Sequence, residues 1–171
     1  MTASRVVVSD TSPLSYLVLI GRESVLPALY GDILIPKAVY RELVHPNGPK
    51  TVRARIDHVP SWLHVETVRL EQGDDPPRQA ALEKLNTLDP GERRAIMLAK
   101  KNEADLLLID ERAGRDVAGE NSLPVTGTIG VLGAAAQKEL IDPAKAVRDL
   151  RETSFRASAD LYRWLLQKGQ R

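Results

Sequence analysis

The sequence VVVSDTSPL, residues 6–14, is a β-branched apolar run that ends abruptly on the carboxylate of Asp10. A short apolar run bounded by turn residues is typical of a strand buried on both faces, and such strands belong to parallel sheets. Because open α/β sheets bind ligands outside the carboxyl ends of their strands, Asp10 is a candidate site residue. The alternative is that Asp10 only caps the following helix, since Asp, Thr and Ser all favour N-cap positions.

The same pattern returns in LLLI, residues 106–109, which is followed by two acids, Asp110 and Glu111. Shorter apolar runs predict two further strands, residues 33–35 and 123–126. Helical patterns separate these strands, and the tail of the chain predicts two more helices, residues 145–151 and 155–168. Strands that alternate with helices indicate an α/β fold with a mainly parallel sheet.

The composition limits the possible classes of protein. A chain of 171 residues is long enough for one domain with a substantial core, and 43% apolar with 27% charged residues indicates a folded protein rather than a disordered one. The absence of cysteine excludes thiolate zinc sites, disulfide frameworks and cysteine nucleophiles. Aromatic residues make up only 4%, which argues against a platform of exposed aromatic side chains for base stacking.

The overall charge gives no strong attraction towards nucleic acid, because 24 Lys and Arg oppose 23 Asp and Glu. The stretch from Lys50 to Arg69 is locally basic, and we interpret it either as an RNA contact or as a solvated face. Residues 71–77 are rich in Pro, Asp and Gly and predict a loop. With no signal-peptide pattern and no apolar run of about 20 residues, we expect a cytoplasmic protein without membrane contact.

Two helices are expected to bring further acids to the edge of the sheet. Glu42 follows apolar residues by three and four positions, so it shares their face rather than the solvent face. Glu92 precedes apolar residues by three, four and seven positions, which places it at the head of a core-facing stripe. Glu92 also has a structural explanation, because Asp89, Pro90 and Glu92 together match a capping box.

The sheet edge thus gathers acids from strand ends and from helices: Asp10, Glu42, Glu92, Asp110 and, as a further possibility, Asp116. Carboxylates that converge without cationic partners repel one another and stay jointly ionised only when a cation lies among them. Hard oxygen ligands suit Mg²⁺ or Mn²⁺. These ions promote phosphodiester hydrolysis, because they polarise the phosphate and lower the pKa of water.

Five segments of the sequence resemble the PIN-domain family, of the kind that serves as toxin in prokaryotic toxin–antitoxin pairs. The matching segments, within about residues 5–140, are VVVSDTSPL, PKAVYREL, DPGERRAIMLA, LLLIDERAGRDVA and LPVTGTIGVL. The resemblance implies a three-layer α/β/α nuclease domain over residues 1–140. Residues 141–171 lie outside the resemblance, and we interpret them as a C-terminal helical extension packed on the same domain, with packing on a partner as the alternative. The resemblance also implies an Mg²⁺- or Mn²⁺-dependent endoribonuclease that leaves a 5′-phosphate, forms a homodimer and is inhibited by a small antitoxin protein.

The resemblance implies roles for individual residues. The acids that match the family's catalytic residues are Asp10, Glu42, Glu92 and Asp110. All of them except Glu42 are expected to bind the metal, and Ser12 matches a hydroxyl residue near the first acid. The sequence departs from the family pattern around Asp110, where Ile109 replaces a common Thr or Ser and Arg112 replaces a second Asp. Glu111 or Asp116 is the candidate for the missing acid.

Two other classes of protein remain open. A PIN-like module that has lost catalysis would still bind RNA or a protein partner, and the unusual sequence after Asp110 favours this alternative. A phosphatase or receiver domain could use a similar doubly wound sheet. However, an aspartyl-phosphate phosphatase needs a second Asp where Ser12 stands, and the paired acids and late Lys of a receiver are not evident.

Overall fold

A parallel sheet of five strands, in the order β3-β2-β1-β4-β5, lies at the centre of the computed structural model, which describes residues 4–69 and 83–170. The strands are β1 (Val7–Ser9), β2 (Ile33–Pro36), β3 (Leu63–Glu66), β4 (Leu106–Leu108) and β5 (Val125–Thr126). Every pairing between neighbouring strands is parallel, which confirms the predicted α/β class. The predicted loop at residues 71–77 lies outside the described residues.

Helices cover both faces of the sheet. Their bounds are α1 (Thr11–Leu19), α2 (Val25–Tyr30), α3 (Lys37–Leu43), α4 (Lys50–Asp57), α5 (Pro90–Lys101), α6 (Arg112–Glu120), α7 (Thr128–Gln137), α8 (Pro143–Arg151) and α9 (Ala159–Lys168). None of the helices within the described ranges is long and apolar enough to cross a membrane.

Two separate apolar cores show that the fold has three layers. Because side chains alternate along a strand, Val7 and Val8 of β1 point to opposite faces. Val7 belongs to a core formed with α1 to α4 and α7 to α9, whereas Val8 belongs to a core formed with α5 and α6. The predicted three-layer α/β/α arrangement is therefore confirmed, and the double-sided burial explains the continuous apolar runs of the strands.

The order of the strands places β1 at a topological switch point. The chain runs from β1 to β2 to β3 on one side, and it then crosses to β4 on the other side of β1. Ser9 of β1 is level with Leu108 of β4. Asp10 and Asp110, which follow these strands closely, are thus at the same carboxyl edge, where open α/β sheets bind their ligands.

The start of the last helix differs from the sequence prediction. Residues 155–168 were expected to form one helix, but α9 begins at Ala159, and the Ser158 hydroxyl accepts a hydrogen bond from the Leu161 N–H at 3.2 Å. Phe155 lies before the helix and is buried, with its ring edge-on to Tyr16 at 5.0 Å between centroids. The apolar pattern therefore does not distinguish Phe155, which makes a core contact before the helix, from the apolar core residues of α9, because both are buried.

The C-terminal helices share the larger core with the sheet. Leu150 of α8 and Leu165 of α9 are fully buried in the cluster that also contains Val7 and Leu17. Gly133 of α7 allows close packing, because a Cβ placed there would lie 2.5 Å from both Cη2 and Cζ3 of Trp164. By contrast, a Cβ at Gly119 of α6 would meet nothing within 4 Å.

These two helical glycines allow a matched test of the packing between α7 and α9. Alanine at either position gains about 1 kcal/mol of helix propensity. We expect Gly119→Ala to raise the free energy of unfolding by about that amount. The free energy of unfolding of Gly133→Ala should be about 1–3 kcal/mol lower than that of Gly119→Ala, since the Trp164 ring must move. Urea unfolding curves of both variants test this, and equal gains would contradict the described packing.

Candidate active site

Asp10 is buried at the carboxyl end of β1, with only 3% of its surface exposed. Its backbone N–H donates to the Leu108 carbonyl at 2.9 Å. Asp10 occupies the N-cap position of α1, but its side chain makes no capping hydrogen bond to the helix. The Oδ1 atom is buried and has no hydrogen-bond partner, so the capping alternative does not explain this residue.

Glu42 comes from the end of α3 and is exposed at the rim of the site. Its Oε2 accepts a hydrogen bond from the Thr11 hydroxyl, and its carboxylate also accepts one from the Gly91 N–H. A Cβ at Gly91 would lie 2.5 Å from Oε1 of Glu42, so glycine is what lets the first turn of α5 approach this closely. Partial desolvation of its carboxyl group raises the pKa of Glu42, and the negative charge of Asp89 raises it further.

Glu92 belongs to the capping box predicted from the sequence, and it also lies on the core-facing side of α5, as its spacing predicts. The Asp89 side chain accepts from the Glu92 N–H at 2.8 Å, and the Glu92 carboxylate accepts from the Asp89 N–H, which completes the capping box. Glu92 is nevertheless only 5% exposed, although a capping residue needs no such burial. Burial raises its pKa to about 7, with further contributions from Asp89, Glu111 and Glu42. The capping box therefore holds an acid within the site.

Asp110 is attached to the first residue of α7. Its Oδ1 accepts from the Thr128 N–H and its Oδ2 from the Thr128 hydroxyl, both at 2.7 Å. A Cβ at Gly127 would lie 2.6 Å from Oδ1, so glycine leaves room for this contact. Burial raises the pKa of Asp110, whereas the Thr128 donors and the positive charge of Arg115 lower it.

Asp10, Glu42, Asp89 and Glu92 form what we call the acidic cluster, because their charges act on one another. Burial raises the pKa of Asp10 to about 8, and Asp89, Glu92 and Glu42 each raise it further. Within the described part of the chain, the charged groups that shift the pKa of Asp10 are all acidic. Carboxylates in this situation hold protons at neutral pH unless a cation neutralises them.

The carboxylates fit a hard divalent cation, although they do not form a complete cage. Among the residues described, no three Asp, Glu or His side chains are close enough together to hold a metal ion. Mg²⁺ is usually bound by only one or two carboxylates and keeps several waters, which it shares with substrate phosphates. The unpartnered Oδ1 of Asp10 is a buried oxygen of the kind that such an ion requires.

The other predicted site residues lie in different surroundings. Ser12 lines a cleft beside Asp110, and it is Thr11 rather than Ser12 whose hydroxyl binds an acid. Glu111 raises the pKa values of Glu92 and Asp110 and lines the same cleft. Asp116 is exposed on α6 and takes no part in the interactions described above.

Sequence reasoning missed three residues that support the site. Asp89 was assigned only to the capping box, but its charge acts on the other three members of the acidic cluster. Thr11 directly follows Asp10 in the sequence, and its hydroxyl was a signal that could have predicted a hydrogen bond to a nearby acid. Thr128 is not singled out by the sequence pattern, although it is a fully buried polar residue.

The basic stretch from Lys50 to Arg69 is partly neutralised. Arg55 forms an ion pair with Glu23 at 2.7 Å, and Nη1 of Arg53 donates to the Pro46 carbonyl at 3.0 Å. The apolar side chains of α4, Val52 and Ile56, are buried in the larger core. An RNA contact on this helix stays a prediction.

The three layers thus bring acids to the carboxyl edge of the parallel sheet. A family model described as a PIN domain matches residues 6–171, and the chain belongs to the PIN-domain family. The match extends through α8 and α9. No curated protein and no solved structure matches the chain.

The pKa of Asp10 makes the stability of the metal-free protein depend on pH. The folded-state pKa, about 8, lies above the ordinary value of 3.8, so protonation stabilises the folded state. This contribution is complete below about pH 4 and is lost as the pH rises to about 8. We expect Asp10→Asn to raise the melting temperature at pH 8 by at least roughly 2–4 °C, the effect of one kcal/mol in a domain of this size.

The difference between Asp10→Asn and the wild type should become small at pH 4, where the native carboxyl group is neutral. Asp116→Asn is the matched control, since Asp116 is exposed and the same atoms are exchanged. Thermal unfolding with a chelator, followed by circular dichroism across this pH range, measures both. A melting temperature of Asp10→Asn that falls below the wild type at pH 8 would refute the described environment of Asp10.

Proposed function

We propose that this protein is a metal-dependent endoribonuclease that hydrolyses RNA phosphodiester bonds. The observation that carries the proposal is the buried Oδ1 of Asp10, which has no hydrogen-bond donor and lies among carboxylates at the switch point of the sheet. Such an oxygen needs either a proton or a cation. A divalent cation is favoured because the chain belongs to the PIN-domain family, whose fold is of the nuclease type, and because these acids lie at the carboxyl edge of its sheet.

In this proposal, one or two of Asp10, Glu92 and Asp110 would bind Mg²⁺ or Mn²⁺ directly, as is usual for Mg²⁺, since no three acids of the described residues lie close enough to hold the ion together. When bound, the ion polarises the phosphate and stabilises the charge that develops during displacement. The protein holds two of these acids in fixed orientations, since Thr128 binds both oxygens of Asp110 and the Asp89 N–H binds Glu92. Water attacks the phosphorus, the bond from phosphorus to the 3′ oxygen breaks, and the products are a 3′-hydroxyl and a 5′-phosphate.

Glu42 is the proposed proton acceptor for the attacking water. It lies outside the proposed ligand set, and donors from Thr11 and Gly91 orient its carboxylate. Its raised pKa favours this role, because a general base works best when its pKa is near the working pH. Thr11 is then a positioning residue that acts through Glu42.

The proposal extends to the biological role. The resemblance to ribonuclease toxins supports the proposal that this protein is a toxin. In this role it forms a homodimer in the cytoplasm and is blocked by a small antitoxin protein. RNA is then the substrate, and the antitoxin controls access to the acids.

A second candidate function is a PIN-like module that binds RNA or a protein partner without cleaving it. Two observations favour it: both oxygens of Asp110 already accept hydrogen bonds, and the described residues contain no ready group of three metal ligands. The two experiments below separate this candidate from the nuclease.

Cleavage of an RNA pool tests the nuclease directly. We expect wild-type protein to cut a mixed pool of structured and single-stranded RNA with Mn²⁺ or Mg²⁺ and to lose this activity with a chelator. Asp10→Asn and Asp110→Asn should each reduce the rate by more than about a hundredfold. Asp116→Asn should cleave like the wild type. Undiminished cleavage in both site variants would exclude the proposed acids.

Metal binding is expected to strengthen as the pH rises, because the ion displaces protons from carboxyl groups with pKa values of about 8 for Asp10 and about 7 for Glu92. Between pH 6 and pH 7 the Mn²⁺ affinity should increase about tenfold for each displaced proton. Calorimetry in two buffers of different ionisation enthalpy measures the affinity and the protons released. An absence of binding heat in both buffers, with the fold intact, would favour the module without catalysis.

A further inference from the structure

A cleft of about 910 Å³ opens beside Asp110. Its lining includes Asp110, Glu111 and Ser12, and also Leu161 and Trp164 of α9. A strand with one phosphate at Asp110 can therefore extend into this space. The volume is in the range of about 300–1,000 Å³ that ligand pockets occupy, so it can hold part of a nucleic acid strand.

Two arginines line the cleft. Arg115 lies next to Asp110, because a Cβ at Gly127 would be 2.6 Å from Oδ1 of Asp110 and 3.5 Å from Nη1 of Arg115. The Arg156 guanidinium is anchored, since its Nη1 donates to the carbonyls of Thr153 at 3.2 Å and Phe155 at 3.0 Å. Guanidinium groups recognise phosphate with charge-assisted hydrogen bonds, and an anchored one loses less entropy on binding.

The cleft is also lined by an exposed aromatic ring. Trp164 is 39% exposed and Leu161 is 48% exposed, which makes them the largest apolar surfaces of α9. The Trp164 ring lies against Gly133, and the Lys168 ammonium lies 4.6 Å from its centroid. The ring is therefore held in place while part of its surface stays open. The low aromatic content had argued against base stacking, but the structure puts one of the two tryptophans in a cleft next to the acids.

We propose that this cleft binds the RNA strand next to the cleaved bond, with Arg115 on a phosphate and Trp164 stacked on a base. The inference rests on the RNA substrate of the proposed function and names where that substrate lies. Single-stranded RNA sites combine cationic side chains with aromatic ones, as this cleft does. RNA is favoured over a peptide because Asp110 of the proposed site lines the cleft and Arg115 lies beside it.

The binding test uses the Asp10→Asn background, so that RNA is not cut, and a fluorescein-labelled single-stranded RNA of random sequence. Arg115→Ala and Trp164→Leu should each weaken binding about tenfold, as expected for loss of one stacked base or one phosphate contact. Arg115→Lys should retain most of the affinity. Arg148→Ala, on α8 and outside the cleft, is the matched control and should bind like the background protein, whereas Arg53→Ala tests the alternative RNA contact on α4.

Trp164 itself provides a second readout that does not depend on a destabilising variant. The chain has two tryptophans, so Trp62→Phe leaves Trp164 as the only one. Stacking of a base should quench its emission as RNA is added. Emission that is unchanged at saturating RNA would overturn the proposal, provided that circular dichroism shows an intact fold.

The outcomes for the cleft and for the proposed function can be distinguished. If wild-type protein cleaves RNA while Arg115→Ala and Trp164→Leu bind and cleave normally, the cleft proposal is wrong and the nuclease stands. Weakened binding and Trp164 quenching without any cleavage by the wild type would support the cleft and remove the hydrolytic role. Weakening by Arg53→Ala alone would move the RNA to α4 and overturn the proposal.

Discussion

The parallel hydrogen-bond ladder continues beyond the ends of the strands, and the arrangement of the acids depends on it. The Asp10 N–H binds the Leu108 carbonyl, and the Ile109 N–H binds the Thr126 carbonyl, both at 2.9 Å. These bonds fix β1, β4 and β5 at the carboxyl edge, where Asp110 meets Thr128. Without this register the acids of separate strands would have no fixed relation to one another.

The acids are held mainly by neutral donors. Backbone N–H groups bind Glu42, Glu92 and Asp110, and the hydroxyls of two threonines add to them. Neutral donors orient a carboxylate without cancelling its charge, so the repulsion among the acids persists. Glycine is essential to this arrangement at Gly91 and Gly127, where any Cβ would collide with a carboxylate oxygen.

The sequence was sufficient for the layers, the parallel sheet and the capping box, because each rests on a local pattern such as the run of residues 106–109. It could not assign Asp89 to the acidic cluster, since helix capping explains that residue completely and only the packing of α5 against β1 brings its charge near Asp10. Residue spacing likewise failed to separate Thr11 from Ser12. The cleft depends on how α9 packs on α7, and this long-range contact has no local signal in the tail.

Helix α7 contacts both Asp110 and Trp164, but it does so through different residues. The two contacts can therefore change independently in evolution. The first residue of α7, Thr128, holds Asp110, and Gly133 one and a half turns later supports Trp164. Changes at the Gly133 contact alter the distant wall of the cleft, while the bonds at the first turn stay intact. Related chains can therefore diverge in the shape of this cleft through their last helix and keep the same acids in place.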